Sequence, residues 1–492
     1  MNLSLHFDKG TVLLYGVEKG QLPQLEGVVW DERTLCYRTT ATQYRQLVTT
    51  LREQNISFQD HARKFSVETF HLKKKITPRA FQQEAAETWM SEQRGVVTLP
   101  TGAGKTILAV MLIAKTGRPT LIHVPTIDLM RQWKEVLSEY FDTPIGLLGG
   151  GINDIQPITV ATYDSALIHV PHHGNRFGLL VFDECHHLPG EQYQFTALGS
   201  IAPFRLGLTA TPERADGKEA LLYELCGPLC YEIHIDELSG RTLAPYVVET
   251  IEVEMLPDDR EQYEIARERY INFLRKARVS FNHPNGWSIF LRRTSESPEG
   301  REAFKAYLLQ KKLSQASGAK MDRLWELIQQ HQGDRILVFT QDNEMAYRIG
   351  RNFLLPVLTH HTKLPEREAF LKAFRTGEYP ILVTSKVLNE GVDVPDANVG
   401  VIVSGSGSIR EHVQRLGRIL RARPGKQAML YELVSKDTGE YFTNQRRRKH
   451  RAYEGPVVLP DESGQNSAQI NKTFRNCRRI TCGFFRKCGC CP

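Results

Sequence analysis

From Arg79 onward the chain alternates two textures. Short Val/Ile/Leu-rich runs (GVVTLP, TLIHVP, ITVATY, LLVFDE) are separated by longer stretches in which apolar residues recur at helical spacing. An unbroken apolar run predicts a strand buried on both faces, and amphipathic stretches between such runs predict the crossover helices of a parallel sheet. The pattern stops near Val253, and residues 258–330 carry no strand runs. They read as charged helices, DREQYEIARERYINFLRKARVSF and REAFKAYLLQKKLSQ, interrupted by the turn-forming HPNGWS. Strand texture returns with RILVFT, PILVT and VGVIVS and runs to about Leu433. Ahead of all this, residues 1 to about 70 alternate apolar and polar positions in short runs (TVLLYGV, GVVWD, RTLCYR) and then read helically through TQYRQLVTTLREQ.

The expected fold class is therefore α/β. It comprises a small N-terminal α+β domain (1–70), a parallel-sheet domain (71–254), a helical insertion (255–330), a second parallel-sheet domain (331–440) and a tail (441–492). The length of 492 residues suits about three domains of ordinary size. With 41% hydrophobic and 24% charged residues the disordered classes are excluded. No uncharged apolar run approaches the roughly 18 to 20 residues of a membrane span, and MNLSLHFDKG lacks the apolar core of a signal peptide, so a cytoplasmic protein is expected.

Charge and cysteine placement add detail. Lys and Arg number 63 against 56 Asp and Glu, a net charge of +7 that permits an anionic partner without requiring one. Cys36, Cys185, Cys226 and Cys230 are scattered, whereas Cys477, Cys482, Cys488, Cys490 and Cys491 crowd the end, unlike a secreted disulfide framework. The tail carries the basic cluster QRRRKHR and has no acidic residue after Glu462, which predicts a disordered or loosely docked segment.

The chemistry concentrates in a few places. TLPTGAGKT follows the strand GVVTL and opens the helix TILAVMLIAK. This strand, glycine loop and helix order is what a phosphate cradle needs. Thr101, Gly102, Ala103 and Gly104 supply the backbone cradle, Lys105 reaches the β and γ oxygens, and the Thr106 hydroxyl holds Mg²⁺. Leu99 stands where the full glycine pattern has its first Gly. VFDECHH ends an apolar run in adjacent carboxylates, with Asp183 suited to the magnesium and Glu184 to polarising the attacking water. Cys185, His186 and His187 are contiguous, so they cannot all face one tetrahedral zinc. The other half of the site is expected from EHVQRLGRILR, which offers Gln414 and, at every third position, Arg415, Arg418 and Arg421; Arg418 and Arg421 are the candidate arginine fingers. The expected cofactors are ATP and Mg²⁺.

The motif order is itself informative. FQQEA, TGAGKT, VPTIDLMRQW, ATYDSA, DECHH, LTATPER, ILVFTQD, THHTKLPERE, ILVTSKVLNEGVDVPDAN and QRLGRILR follow one another as in a superfamily 2 helicase core. Within that superfamily the chain most closely resembles the XPB-type DNA repair helicases of archaea and bacteria. GVVWDERT, DECHH, the helical insertion and TSKVLNEGVDVPDANVGVIVSGSGSIREHVQRLGRILR carry the resemblance over residues 1 to about 435.

The resemblance implies two RecA-like domains, a damage-recognition-like N-terminal domain, a thumb-like helical element, and ATP-dependent duplex opening with 3′ to 5′ polarity. By the same resemblance Gln82 looks like the adenine-reading glutamine, with Arg79 its neighbour. Thr209, Ala210 and Thr211 look like the element coupling hydrolysis to movement, and Gly391 and Asp393 resemble a loop touching nucleotide and nucleic acid. The family's Arg-Glu-Asp triplet reads Arg214, Ala215, Asp216 here, which puts its strand-separating role in doubt.

A translocating motor grips the backbone without reading bases. Candidate contacts are Thr126, Thr162, Tyr163, His360, His361, Thr362, Thr384 and Ser385, each just after a strand run, with Arg214 added by its place in the triplet. The expected function is an ATP-dependent DNA helicase or translocase acting on a junction of single-stranded and duplex DNA in repair. The alternatives are an RNA-directed translocase, or an ATPase scaffold that recruits a partner nuclease.

Overall fold

The computed structural model describes residues 3–441 and Asn444, apart from 23–24, 214–215, 282, 284, 386–396, 406–408 and 421–426. Arg214, Ala215, Gly391, Asp393, Arg421 and the basic, cysteine-rich tail fall outside the described residues.

The N-terminal unit contains β1 (Leu3–Asp8), β2 (Thr11–Tyr15), β3 (Val29–Asp31), β4 (Cys36–Thr40), α1 (Tyr44–Glu53) and β5 (Phe58–Asp60). The strands form a five-stranded sheet in the order β3-β4-β2-β1-β5. Lys9 and Gly10 form the β1–β2 turn, both at positive φ, as a two-residue hairpin joining right-twisted strands requires. The alternation read in the sequence becomes one buried face, where Leu3, Leu5, Val12 and Leu14 pack under Leu47, Val48 and Leu51 of α1. This unit docks on the next through Asn175, whose Nδ2 donates to the Ala62 carbonyl at 2.8 Å, and through Arg45, which donates to the Pro203 carbonyl at 3.1 Å.

The first motor lobe runs α2 (Ala80–Glu92), β6 (Arg94–Thr98), α3 (Lys105–Thr116), β7 (Thr120–Val124), α4 (Ile127–Tyr140), β8 (Ile145–Gly149), β9 (Ile152–Asp154), β10 (Ile158–Thr162), α5 (Tyr163–His173), β11 (Leu179–Asp183), α6 (Gln194–Leu198), β12 (Phe204–Thr209), α7 (Glu219–Cys226), β13 (Leu229–Glu232) and α8 (Ile235–Leu238). Its sheet has the order β13-β6-β12-β11-β7-β10-β8-β9, parallel except where the short β9 pairs antiparallel with β8. β7, β10 and β11 are buried at every position, which explains their unbroken apolar runs.

The second lobe opens with β14 (Tyr246–Val253). It continues through α9 (Pro257–Lys276), α10 (Gly286–Ser295), α11 (Pro298–Gln315) and α12 (Gly318–Gln330), then β15 (Ile336–Phe339), α13 (Asn343–Phe353), β16 (Val357–Leu358), α14 (Leu364–Thr376), β17 (Ile381–Thr384), β18 (Val399–Ile402), α15 (Ile409–Ile419) and β19 (Ala428–Ser435). The sheet is parallel throughout, in the order β14-β19-β18-β15-β17-β16.

Two boundaries differ from the sequence reading. β14, expected to close the first α/β unit, pairs with β19 along its whole length and so belongs to the second sheet. α12, expected in the helical insertion, buries Met321, Leu324, Leu327 and Ile328 in the core of the second lobe. Neither pairing is visible in local periodicity, because the partners lie far apart in the chain. The remaining helices α9–α11 have a core of their own built on Ala266, Tyr270, Phe273, Phe290, Ala303 and Ala306.

The lobes are packed together. One apolar cluster runs from the first sheet through Leu238, Leu243 and Tyr246 to Val413, Leu416 and Ile419 of α15 and on to Leu337 and Phe339 of β15. Asp128 of α4 and Arg367 of α14 form an ion pair between the lobes, and Arg131 and Glu368 approach at 3.8 Å.

Candidate ATP site and nucleic-acid path

The glycine loop lies between β6 and α3. Gly102 and Gly104 have φ of 85° and 92°, a left-handed backbone that side chains disfavour. Gly104 is constrained twice, since a Cβ there would also lie 2.5 Å from Gln82 Nε2. The chain enters α3 with its first N–H groups turned toward the loop, the arrangement that binds anions. Leu99, at the missing first-glycine position, is wholly buried, and its N–H donates to the Thr209 carbonyl at 3.0 Å, so it serves the core. Lys105 and Thr106 follow at the helix start, and Lys105 Nζ donates to the Leu99 carbonyl at 3.3 Å.

Gln82 lies against this loop. Its Nε2 donates to the carbonyls of Ala103 at 3.1 Å and Gly104 at 3.3 Å, while its Oε1 accepts from the Arg79 N–H at 3.0 Å and closes a capping box at the start of α2. The structure thus brings Arg79, Gln82, Ala103 and Gly104 into one hydrogen-bonded set.

β11 delivers Asp183 to the C-terminal edge of its sheet, where ligands bind in open α/β folds. Its Oδ1 accepts from the Glu184 N–H at 3.0 Å, and its Oδ2 accepts from the Trp133 indole N–H at 2.8 Å. Burial pushes the Asp183 carboxyl up to about 6, the Glu184 carboxylate adds to the rise, and Lys105 and the indole N–H oppose it. Glu184 adopts a left-handed backbone with φ of 48°, strained for a non-glycine residue, and its Oε2 is buried without a hydrogen-bond donor among the described residues. His186 Nδ1 lies 3.2 Å from Thr209 Oγ1 and 3.5 Å from Glu184 Oε2, and Thr209 Oγ1 donates to the Thr211 carbonyl at 2.9 Å. The carboxylate strand is thereby wired to the Thr209–Thr211 segment.

These donors fit magnesium. A buried carboxylate and a threonine hydroxyl, completed by phosphate oxygens and water, match an ion that prefers octahedral oxygen and keeps several waters. Glu184 Oε2, buried and 3.5 Å from His186 Nδ1, adds an acceptor for such a water.

The second lobe reaches the loop through α15. A Cβ on Gly417 would lie 2.4 Å from Thr101 Cβ, so helix and glycine loop touch at that point. Arg418 is the next residue and half-buried, and Gln414 is buried one turn earlier. Arg415 is anchored in its own lobe: it lies 5.5 Å over the Phe339 ring, donates to the Thr340 carbonyl at 3.4 Å and pairs with Glu411 at 3.6 Å. Of the three arginines, Arg415 and Arg418 lie on α15, and Arg421 falls outside the described residues.

The candidate nucleic-acid contacts divide. Thr126 and Thr162 are N-caps of α4 and α5, accepting from Leu129 N–H at 3.2 Å and Ser165 N–H at 3.3 Å. Tyr163 is corrected: it is 1% exposed, and its hydroxyl donates to the Asp183 carbonyl at 3.1 Å, because α5 starts at that residue and turns the ring back over the sheet. Thr384 and Ser385 are also buried, with hydroxyls donating to the Ser385 carbonyl at 3.4 Å and to Asn343 Oδ1 at 2.7 Å, so neither side chain faces outward as expected. Thr362 Oγ1 accepts from the Thr359 N–H at 3.0 Å. His360 and His361 are exposed, with ring centroids 3.9 Å apart. Trp133 is a residue that sequence reasoning missed; the only available signal was its position inside the stretch VPTIDLMRQW.

Residues 5–62 match the Xeroderma pigmentosum group B helicase damage recognition domain, residues 75–214 the Type III restriction enzyme res subunit, and residues 319–423 the Helicase conserved C-terminal domain. The chain is 40% identical over 423 residues to the DNA 3′-5′ translocase XPB2 of Sulfurisphaera tokodaii, covering 86% of this chain and 96% of that one. The chain belongs to the XPB helicase family. Another relative, the DNA 3′-5′ helicase XPB of Mycobacterium tuberculosis, is 31% identical over 385 residues, and the match spans 75% of this chain and 63% of that protein's length. The crystal structure of the Pyrococcus furiosus Hef helicase domain superimposes with a TM-score of 0.50 at 21% identity, over 75% of this chain and 98% of that one, and so shares the fold of the two lobes. Like other members of the XPB family, the chain carries the domains of an ATP-driven helicase. No described helix is long and apolar enough to cross a membrane.

Proposed function

We propose that this chain is an ATP-driven DNA 3′-5′ translocase that opens duplex DNA during repair. The contact of Gly417 with Thr101 supports the reading best, because it sets α15 of the second lobe against the glycine loop of the first. In this reading Thr101 to Gly104 cradle the phosphates, Lys105 holds the β and γ oxygens, and Gln82 and Arg79 border the base. Thr106 and Asp183 would hold magnesium, which when bound neutralises charge on the β- and γ-phosphates. Glu184 orients the attacking water and takes its proton, while Arg418 and Arg421 stabilise the charge spread over the transferred phosphoryl group. Gln414 borders the same phosphates, and Gly391 and Asp393 touch nucleotide and nucleic acid together.

Thr126, Thr162, His361 and Thr362, with Arg214, line the backbone path. Helices α9–α11 act as a thumb on the duplex, and the N-terminal unit recognises distorted DNA. Strand displacement with 3′-tailed and 5′-tailed DNA and matching RNA duplexes tests the proposal. Displacement of the 3′-tailed DNA alone is expected. Preference for RNA would overturn the DNA assignment, and ATP turnover with tight binding but no displacement would favour a scaffold for a partner nuclease.

A further inference from the structure

Asp183 receives two aromatic donors from two different helices. Trp133, 1% exposed on α4, donates its indole N–H to Oδ2 at 2.8 Å, and Tyr163, 1% exposed on α5, donates its hydroxyl to the Asp183 carbonyl at 3.1 Å. Each helix begins at a threonine cap at the C-terminal end of its own strand, Thr126 two residues past β7 and Thr162 as the last residue of β10. β7 lies directly beside β11, and β10 beside β7. Trp133 stands seven residues beyond Thr126, two turns along one rigid helix, and Tyr163 stands immediately after Thr162. An indole N–H can only donate, so its partner must accept, and it fixes the plane of the carboxylate while leaving a lone pair on each oxygen.

We infer that Trp133 and Tyr163 are positioning residues that tie the two helix starts lining the nucleic-acid path to Asp183, Trp133 at its carboxylate and Tyr163 at its main-chain carbonyl, so that a shift of α4 or α5 on binding a strand re-aims Asp183. The inference rests on the roles proposed above for Thr126, Thr162 and Asp183. Phenylalanine at 163 keeps the ring and loses only the donor, whereas at 133 it also removes part of the indole's packing.

The test uses Trp133→Phe and Tyr163→Phe in the full chain, with magnesium titrated against the fluorescence of a bound non-hydrolysable ATP analogue, and ATP turnover measured with and without single-stranded DNA. Loss of a hydrogen bond to a charged group corresponds to about a tenfold change. Trp133→Phe should therefore raise the magnesium half-saturation about tenfold, Tyr163→Phe about threefold, and both should cut the stimulation by DNA. Melting temperatures that fall while magnesium half-saturation and stimulation stay at wild-type values would reduce both residues to packing and overturn the inference. Should Trp133→Phe fail to fold, the indole N–H resonances of the unsubstituted chain decide the matter. One of the five should move when DNA is added and keep still in Asp183→Asn; no responsive resonance would sink the tie. A wild-type chain whose turnover ignores DNA would instead count against the proposed function itself.

Discussion

The two halves of the ATP site are held by different means. In the first lobe the anchors come from the same lobe: Asp183 is held by the Glu184 N–H, Trp133 and Tyr163, and the glycine loop by Gln82. In the second lobe Arg415 is locked to Phe339 and Thr340, yet α15 meets the loop through the bare backbone of a glycine. A hydrogen-bonded cradle keeps its geometry whichever way the lobes sit, whereas a van der Waals contact exists only while they are together. In the proposed motor this would make the carboxylate side the constant half and the arginine side the half that reports domain position.

The largest effects should separate the halves. Lys105→Ala is expected to abolish ATP turnover while largely sparing DNA binding, and Arg418→Ala to lower it about a thousandfold with nucleotide affinity within a few-fold. Similar losses of nucleotide affinity in both variants would erase the contrast. Gly417→Ala comes next. Its methyl would lie 2.4 Å from Thr101 Cβ, so turnover should fall about tenfold through forced separation, with the melting temperature little changed. Recovery in Gly417→Ala combined with Thr101→Gly would locate the clash, and no recovery would place the cost elsewhere.

Acid should act on the built half. Burial holds the Asp183 carboxyl at about 6, so protons compete with magnesium, and turnover at limiting magnesium should fall as pH drops through 6. The sign for folding is opposite. A carboxyl raised above its unfolded value binds its proton more tightly in the native state, so the stability it contributes is lost as pH rises toward 6. Asp183→Asn should therefore melt no lower than wild type at neutral pH, an advantage that vanishes near pH 4; a lower melting point at neutral pH would contradict it. The smallest effect concerns the link between lobes. Reversing the charge of Asp128 or Arg367 singly should weaken DNA-stimulated turnover a few-fold, and exchanging the two should restore it.

Much of this was legible in the residue order because buried parallel strands announce themselves: VVTL, LIHV and LLVFD each became a strand at the expected place. The glycine loop was equally plain, since only glycine meets φ near 90° at low cost. What escaped were contacts between residues far apart in the chain. The indole of Trp133 reads as one more apolar position on α4, and nothing local says that its N–H meets Asp183 fifty residues on. Tyr163 looked like a strand-end surface group because the start of α5 could not be placed to the residue. The place of Arg415 was equally hidden, because its contacts with Phe339 and Thr340 join residues some seventy-five positions apart.

The pairing of β14 with β19 has a consequence for biosynthesis. β14 emerges from the ribosome at residues 246–253, but the strand that completes it lies at residues 428–435, after the helical excursion and the rest of the second sheet. Until then a nascent chain carries an unsatisfied parallel edge, the kind of template that recruits foreign strands. The first lobe and the three-helix excursion can condense early, while the second lobe must wait for nearly its last strand. Premature termination anywhere between those two strands should therefore leave an aggregation-prone product rather than a shorter working motor.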